Sequence, residues 1–146
     1  MADTTTASSL VVDAPAADVL AVLADLHAYP EWNGEIKSVE VLETTPAGRP
    51  RRARFSVASS GMADDYVLDY EWAADGVGWH LVAPSQLQKS QVGSYRLVPA
   101  GRGTEVRYEL RIDARLPMIG PMRRKIEQRI VAGALKELKK RVETLG

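Results

Sequence analysis

The spacing of apolar and polar side chains changes period twice along this chain, which divides it into three stretches. The first, "SSLVVDAPAADVLAVLADL" (8–26), reads as a strand followed by a helix. Val19, Val22, Leu23 and Leu26 recur at i, i+3, i+4 and i+7, one apolar helical face. Pro15 has the fixed φ suited to a first helical position, with Asp13 or Ala14 as the cap before it. Pro30 is expected to end the helix, because the residue before a proline is pushed out of the helical region.

From Ile36 to Leu116 the period is two and turn residues recur at short intervals. Strands are expected at 36–45, 51–60, 64–73, 77–83, 86–98 and 104–116, separated by "PAGRP", "SGMA", "ADG", "APS" and "PAGRG". Turns this short join antiparallel neighbours. In the last strand Val106, Tyr108, Leu110 and Ile112 alternate with Arg107, Glu109, Arg111 and Asp113, so one face is buried and the other solvated. After "RLPMIGPM" the period becomes helical again, with Met122, Ile126, Ile130, Ala134, Leu138, Val142 and Leu145 forming a stripe that rotates along a long helix. Without repeats or linkers, residues 1–146 are expected to form a single α+β domain.

Composition narrows the chemistry. The 146 residues include no cysteine, which excludes disulfides, thiolate nucleophiles, iron–sulfur clusters and cysteine-ligated zinc. Nineteen basic against nineteen acidic residues leave no net charge, so bulk attraction to nucleic acid or to an anionic membrane is not expected. "MADTTTASSL" lacks the apolar run of a signal peptide, and no segment approaches the roughly 20 apolar residues of a membrane span. A cytoplasmic protein with no stable membrane insertion is expected, either a monomer or a homodimer.

The run "VVDAPAADVLAVLADLHAYPEWNGEIKSVEVLE", the closing "GSYRLVPAGRGTEVRYELRIDARLP" and the basic amphipathic helix resemble the START-like superfamily, also called SRPBCC. Within it the chain is most similar to the polyketide cyclase/dehydrase-type proteins of actinobacteria. The resemblance spans about residues 7 to 145; its most specific pieces are the strand ending in "DAP", the "YPEW" after the first helix and "GTEV" entering the last strand. It implies a helix-grip fold: a curved seven-stranded antiparallel sheet around the C-terminal helix, with one or two short helices after the first strand. It also implies a cavity between sheet and helix for an apolar or amphipathic ligand.

On such a sheet the concave face carries Phe55 and Val57, then Tyr66, Leu68, Tyr70 and Trp72, then Trp79 and Leu81, Tyr95 and Leu97, and the apolar half of the last strand. Each of these either packs against the helix or meets a ligand. Tyr66, Tyr70, Tyr95 and Tyr108 favour a pocket, since a buried phenol needs a hydrogen-bond partner that a ligand oxygen, water or another side chain can supply. Lys89 and Gln91 share that parity; a bulge or early strand end that leaves Lys89 outside is the less costly arrangement, with Gln91 pointing in. His27 and His80 have exposed positions and offer no general base. Asp64, Asp65 and Asp69 are expected to be solvated.

The expected ligand-contacting residues are therefore Trp32, Phe55, Tyr66, Tyr70 and Trp79, then Gln91, Tyr95, Tyr108 and Leu110. Met118, Met122, Ile126 and Ile130 join them, because in the resembling fold the passage from last strand to helix lies near the cavity mouth and methionine adapts to varied shapes. The basic run Arg123-Arg124-Lys125 is either an anchor for anionic headgroups or a solvated face with Glu127 among its neighbours. No catalytic residue, metal ligand or cofactor is assigned. The reading is binding of a polyketide, lipid, sterol or quinone-like molecule, with a polyketide aromatase/cyclase or dehydratase as the alternative.

Overall fold

The computed structural model describes residues 5–59, 61–115 and 120–145. Strand β1 (Thr6–Val12) leads to α1 (Ala16–Ala24), a 3-10 turn (Leu26–Ala28) and α2 (Tyr29–Trp32). Six strands follow: β2 (Ile36–Thr44), β3 (Pro50–Ser59), β4 (Met62–Ala73), β5 (Gly76–Leu81), β6 (Gln88–Ala100) and β7 (Gly103–Ala114). Helix α3 (Gly120–Leu145) closes the described chain. The seven strands form one antiparallel sheet in the order β1-β7-β6-β5-β4-β3-β2, and its curvature around α3 makes the helix-grip fold.

The meander follows from its turns. Ala100 pairs with Gly103, which leaves Gly101 and Arg102 to reverse the chain, and Gly101 adopts φ 61°, a left-handed value that side chains disfavour. α3 lies closest to β1 and β7. It buries Val131, Ala134, Leu135, Leu138 and Val142.

Helix starts and faces differ from the expectation in three places. Pro15 is the cap residue of α1, with ψ 154°, and no side chain caps there. α1 ends at Ala24, well before Pro30, and Pro30 instead lies in the first turn of α2, where its missing N–H costs nothing. On α3 the predicted stripe holds for Ala134, Leu138 and Val142, while Ile130 is half-buried. Met122, Ile126 and Leu145 are exposed, and their places on the buried face are taken by Glu127, Val131 and Leu135. A step of four overshoots each turn, so seven residues at that spacing cannot all face one strand pair.

Candidate ligand-binding site

Sheet register builds the inner wall pair by pair. Phe55 lies opposite Tyr66, Tyr70 opposite Trp79, and Tyr95 opposite Tyr108. Neighbours on one face of an antiparallel pair are within reach of each other's rings. Phe55 and Tyr66 stack at 5.6 Å between centroids, Trp79 lies 5.9 Å from Tyr70, 5.5 Å from Tyr95 and 5.8 Å from Tyr108, and Tyr95 and Tyr108 are 4.5 Å apart. Tyr29 extends the series to α2 through Phe55 at 6.3 Å and Trp32 at 4.9 Å. The rings thus run unbroken from α2 across β3 to β7, with Leu110 buried beside them.

Gly93 sets the position of the central ring. It pairs with Trp79 across the strands, and a Cβ added there would stand 2.4 Å from the indole. With no side chain in the way, the indole N–H donates to Gln91 Oε1 at 2.9 Å. Gln91 Nε2 donates to Gln88 Oε1 (2.7 Å), and Gln88 Nε2 reaches Asp64 Oδ2 (3.3 Å). Asp64 also accepts from the Ser85 hydroxyl (2.6 Å) and the Gln86 N–H (3.2 Å). A polar relay therefore leads from the aromatic wall to the loop before β6. The register shift between Gln88 and Ser90 makes it possible, turning Gln88 inward and leaving Lys89 exposed, as the cost of burying an unpaired lysine requires.

Asp64 is a correction to the sequence reading: it is buried and hydrogen-bonded. Its parity with Tyr66 and Leu68 was the available signal. Asp69 is held by Arg52 at 2.6 Å, which keeps its carboxyl below the usual range. His27 and His80 are exposed. Among the described residues no group of three or more carboxylates or histidines is placed to hold a metal ion.

The wall is uncharged. Burial raises the phenols of Tyr29, Tyr66, Tyr70, Tyr95 and Tyr108, and the Gln91 side chain pulls only against the rise at Tyr66. Tyr29 donates to the Leu23 carbonyl at 2.6 Å. At neutral pH all five are hydrogen-bond donors.

The family model described as polyketide cyclase / dehydrase and lipid transport matches residues 3–143. The chain belongs to this family. A START superfamily protein from Mycobacterium smegmatis is 27% identical, covers 97% of this chain and 99% of its own, and superposes with a TM-score of 0.90. The Zhui aromatase/cyclase from a Streptomyces species shares the fold at TM-score 0.77 and 16% identity, over 96% of this chain and 93% of its own. A STAR-related lipid transfer protein from Xanthomonas axonopodis does so at 0.70 and 22%, over 94% and 84%. No curated protein matches the chain.

As a member of the polyketide cyclase/dehydrase and lipid transport family, the chain belongs among START-like proteins of lipid or polyketide binding or cyclisation. In this member Phe55, Tyr66, Tyr70, Trp79, Gln91, Tyr95, Tyr108 and Leu110 come together on one wall. Met118 lies outside the described residues, Ile130 sits half-buried on α3, and Met122 and Ile126 are turned to solvent. Trp32 is 7% exposed and its N–H finds no partner among the described residues. Its ring separates the aromatic series from an outer groove of about 350 Å³ lined by Asp18, Val22, Asp25, Arg141, Val142 and Leu145. Sequence reasoning missed Glu127, 1% exposed, which accepts from the Thr6 hydroxyl and the Ile112 N–H at 2.6 Å each and so ties α3 to β1 and β7.

Proposed function

We propose that the protein binds an apolar or aromatic small molecule carrying several oxygens, held between the concave sheet and α3. The observation that carries this is the state of Tyr70, Tyr95 and Tyr108. Their side chains are buried, yet none of their hydroxyls makes a hydrogen bond among the described residues. Protonated phenols in an aromatic wall favour a ligand whose carbonyl, hydroxyl or ether oxygens accept from them while its rings lie on Trp79 and Phe55. Polyketides and quinones fit this description, and sterols and lipids fit its apolar part.

Thermal-shift and native mass spectrometry with a naphthoquinone, a flavonoid, a sterol and a long-chain fatty acid test the reading. An oxygenated ring compound should bind, and Tyr→Phe changes at Tyr70, Tyr95 and Tyr108 should weaken it roughly fivefold for each hydroxyl engaged. Failure of every class to bind, or an unchanged affinity in the triple variant, would overturn it.

The second reading is an aromatase/cyclase or dehydratase, favoured by the family and by the same protonated phenols, which would polarise the ketones of a poly-β-keto chain during ring closure. Turnover of such a thioester that is lost in Tyr70→Phe or Tyr108→Phe while binding survives would establish it.

A further inference from the structure

The outer face of α3 carries charge that the neutral composition conceals. Lys125, Arg129, Lys136 and Lys140 are exposed and recur at steps of four, seven and four, which places them on one side of the helix. Among the described residues none of the four is in an ion pair. The acids of α3 do little to offset them. Glu127 is turned inward to Thr6 and Ile112, with Arg123 3.6 Å from it, and Glu143 is bound to Lys139 and to the Asp13 N–H. Glu137 is half-buried on the flank. On the same outer side, in the first turns, Met122 and Ile126 are 52% and 45% exposed, one helical turn apart.

We infer that this face of α3 docks on an anionic lipid surface, with the cations over the headgroups and Met122 and Ile126 in the interface. Charge complementarity selects an anionic partner, and two large apolar side chains set among the cations select a bilayer, which offers them a place out of water. Against the phosphates of a nucleic acid the same cations would pair, but Met122 and Ile126 would stay in water, and no aromatic side chain of α3 offers a base a stacking surface. The inference uses only the outer face and stands apart from the ligand reading.

Co-sedimentation of the full chain with phosphatidylcholine vesicles, with and without about one-third phosphatidylglycerol, tests it. Binding should require the anionic lipid and fall away in about 1 M salt, where screening acts within about 3 Å. Lys125→Gln with Arg129→Gln should lower partitioning about 25-fold, at roughly fivefold per cation removed. Met122→Ser with Ile126→Ser should weaken it while leaving the salt dependence unchanged. These positions are exposed, so circular dichroism and melting should match the parent protein. Equal binding to neutral vesicles, or indifference to the charge variant, would overturn the inference. So would tight binding of duplex DNA that displaces vesicles and ignores Met122→Ser/Ile126→Ser.

Discussion

All five tyrosines of the chain, Tyr29, Tyr66, Tyr70, Tyr95 and Tyr108, have phenols raised by burial, so alkaline titration probes directly how well the wall is sealed. A group whose folded value lies above its unfolded value stabilises the fold fully below the unfolded value, about 10 for tyrosine, and that contribution is lost as the pH rises past it. Each phenol then subtracts about 1 kcal/mol between pH 10 and pH 11, and about 1.4 kcal/mol for each further unit, because the unfolded chain releases a proton that the folded one retains. Five together subtract about 5 kcal/mol over that interval and about 7 kcal/mol over the next, comparable with the whole stability of a domain, about 5–15 kcal/mol. The protein should therefore unfold cooperatively at roughly pH 11 to 12, with phenolate absorbance and loss of the near-ultraviolet dichroism following a single curve. Tyr95→Phe should reduce the slope of stability against pH above about 11 by about 1.4 kcal/mol per unit. Phenolate appearing with a midpoint near 10 in a still-folded protein would refute the burial of these phenols in the wall.

Two further substitutions test how the site is held. Glu127→Ala strands the Thr6 hydroxyl, the Ile112 N–H and the Arg123 guanidinium together, and should cost about 3–5 kcal/mol in urea unfolding; a loss below about 1 kcal/mol would mean that the bridge is not what fastens α3 to β1 and β7. Gly93→Ala pushes a methyl into the Trp79 indole, so it should cost about 1–3 kcal/mol and break the bond to Gln91, visible as a change in tryptophan emission; unaltered stability and emission would show that the close approach is not maintained.

Much of the fold is legible in local chemistry. Alternation along 104–112 and 64–72 reports which side of a strand meets the core, because successive side chains point to opposite faces whatever lies around them. The inward set Phe55, Tyr66, Tyr70, Trp79, Tyr95 and Tyr108 could be assigned from that parity alone. So could Asp64, which shares it, had the charge not suggested water. Lys89 and Gln91 show where the rule needs help: the cost of an unpaired buried lysine foretells a bulge, but the turn of Gln88 into the wall is visible only once the bulge has a position.

The amino-acid order by itself determined the strand periods, the glycine turns, the helix faces of α1 and the absence of cysteine chemistry, because these depend on neighbours a few residues away. Tertiary structure alone decided which charges are neutralised. Glu127 and Lys125 sit two positions apart on one helix, yet the first is bound beneath it by Thr6 and Ile112 and the second is left outside. A carboxylate can be drawn into the interior only where a strand N–H and a hydroxyl wait for it, and those partners lie more than a hundred residues away in one case and on another element in both. The same holds for Gly93, whose missing side chain acquires its purpose only when β5 lays Trp79 across it.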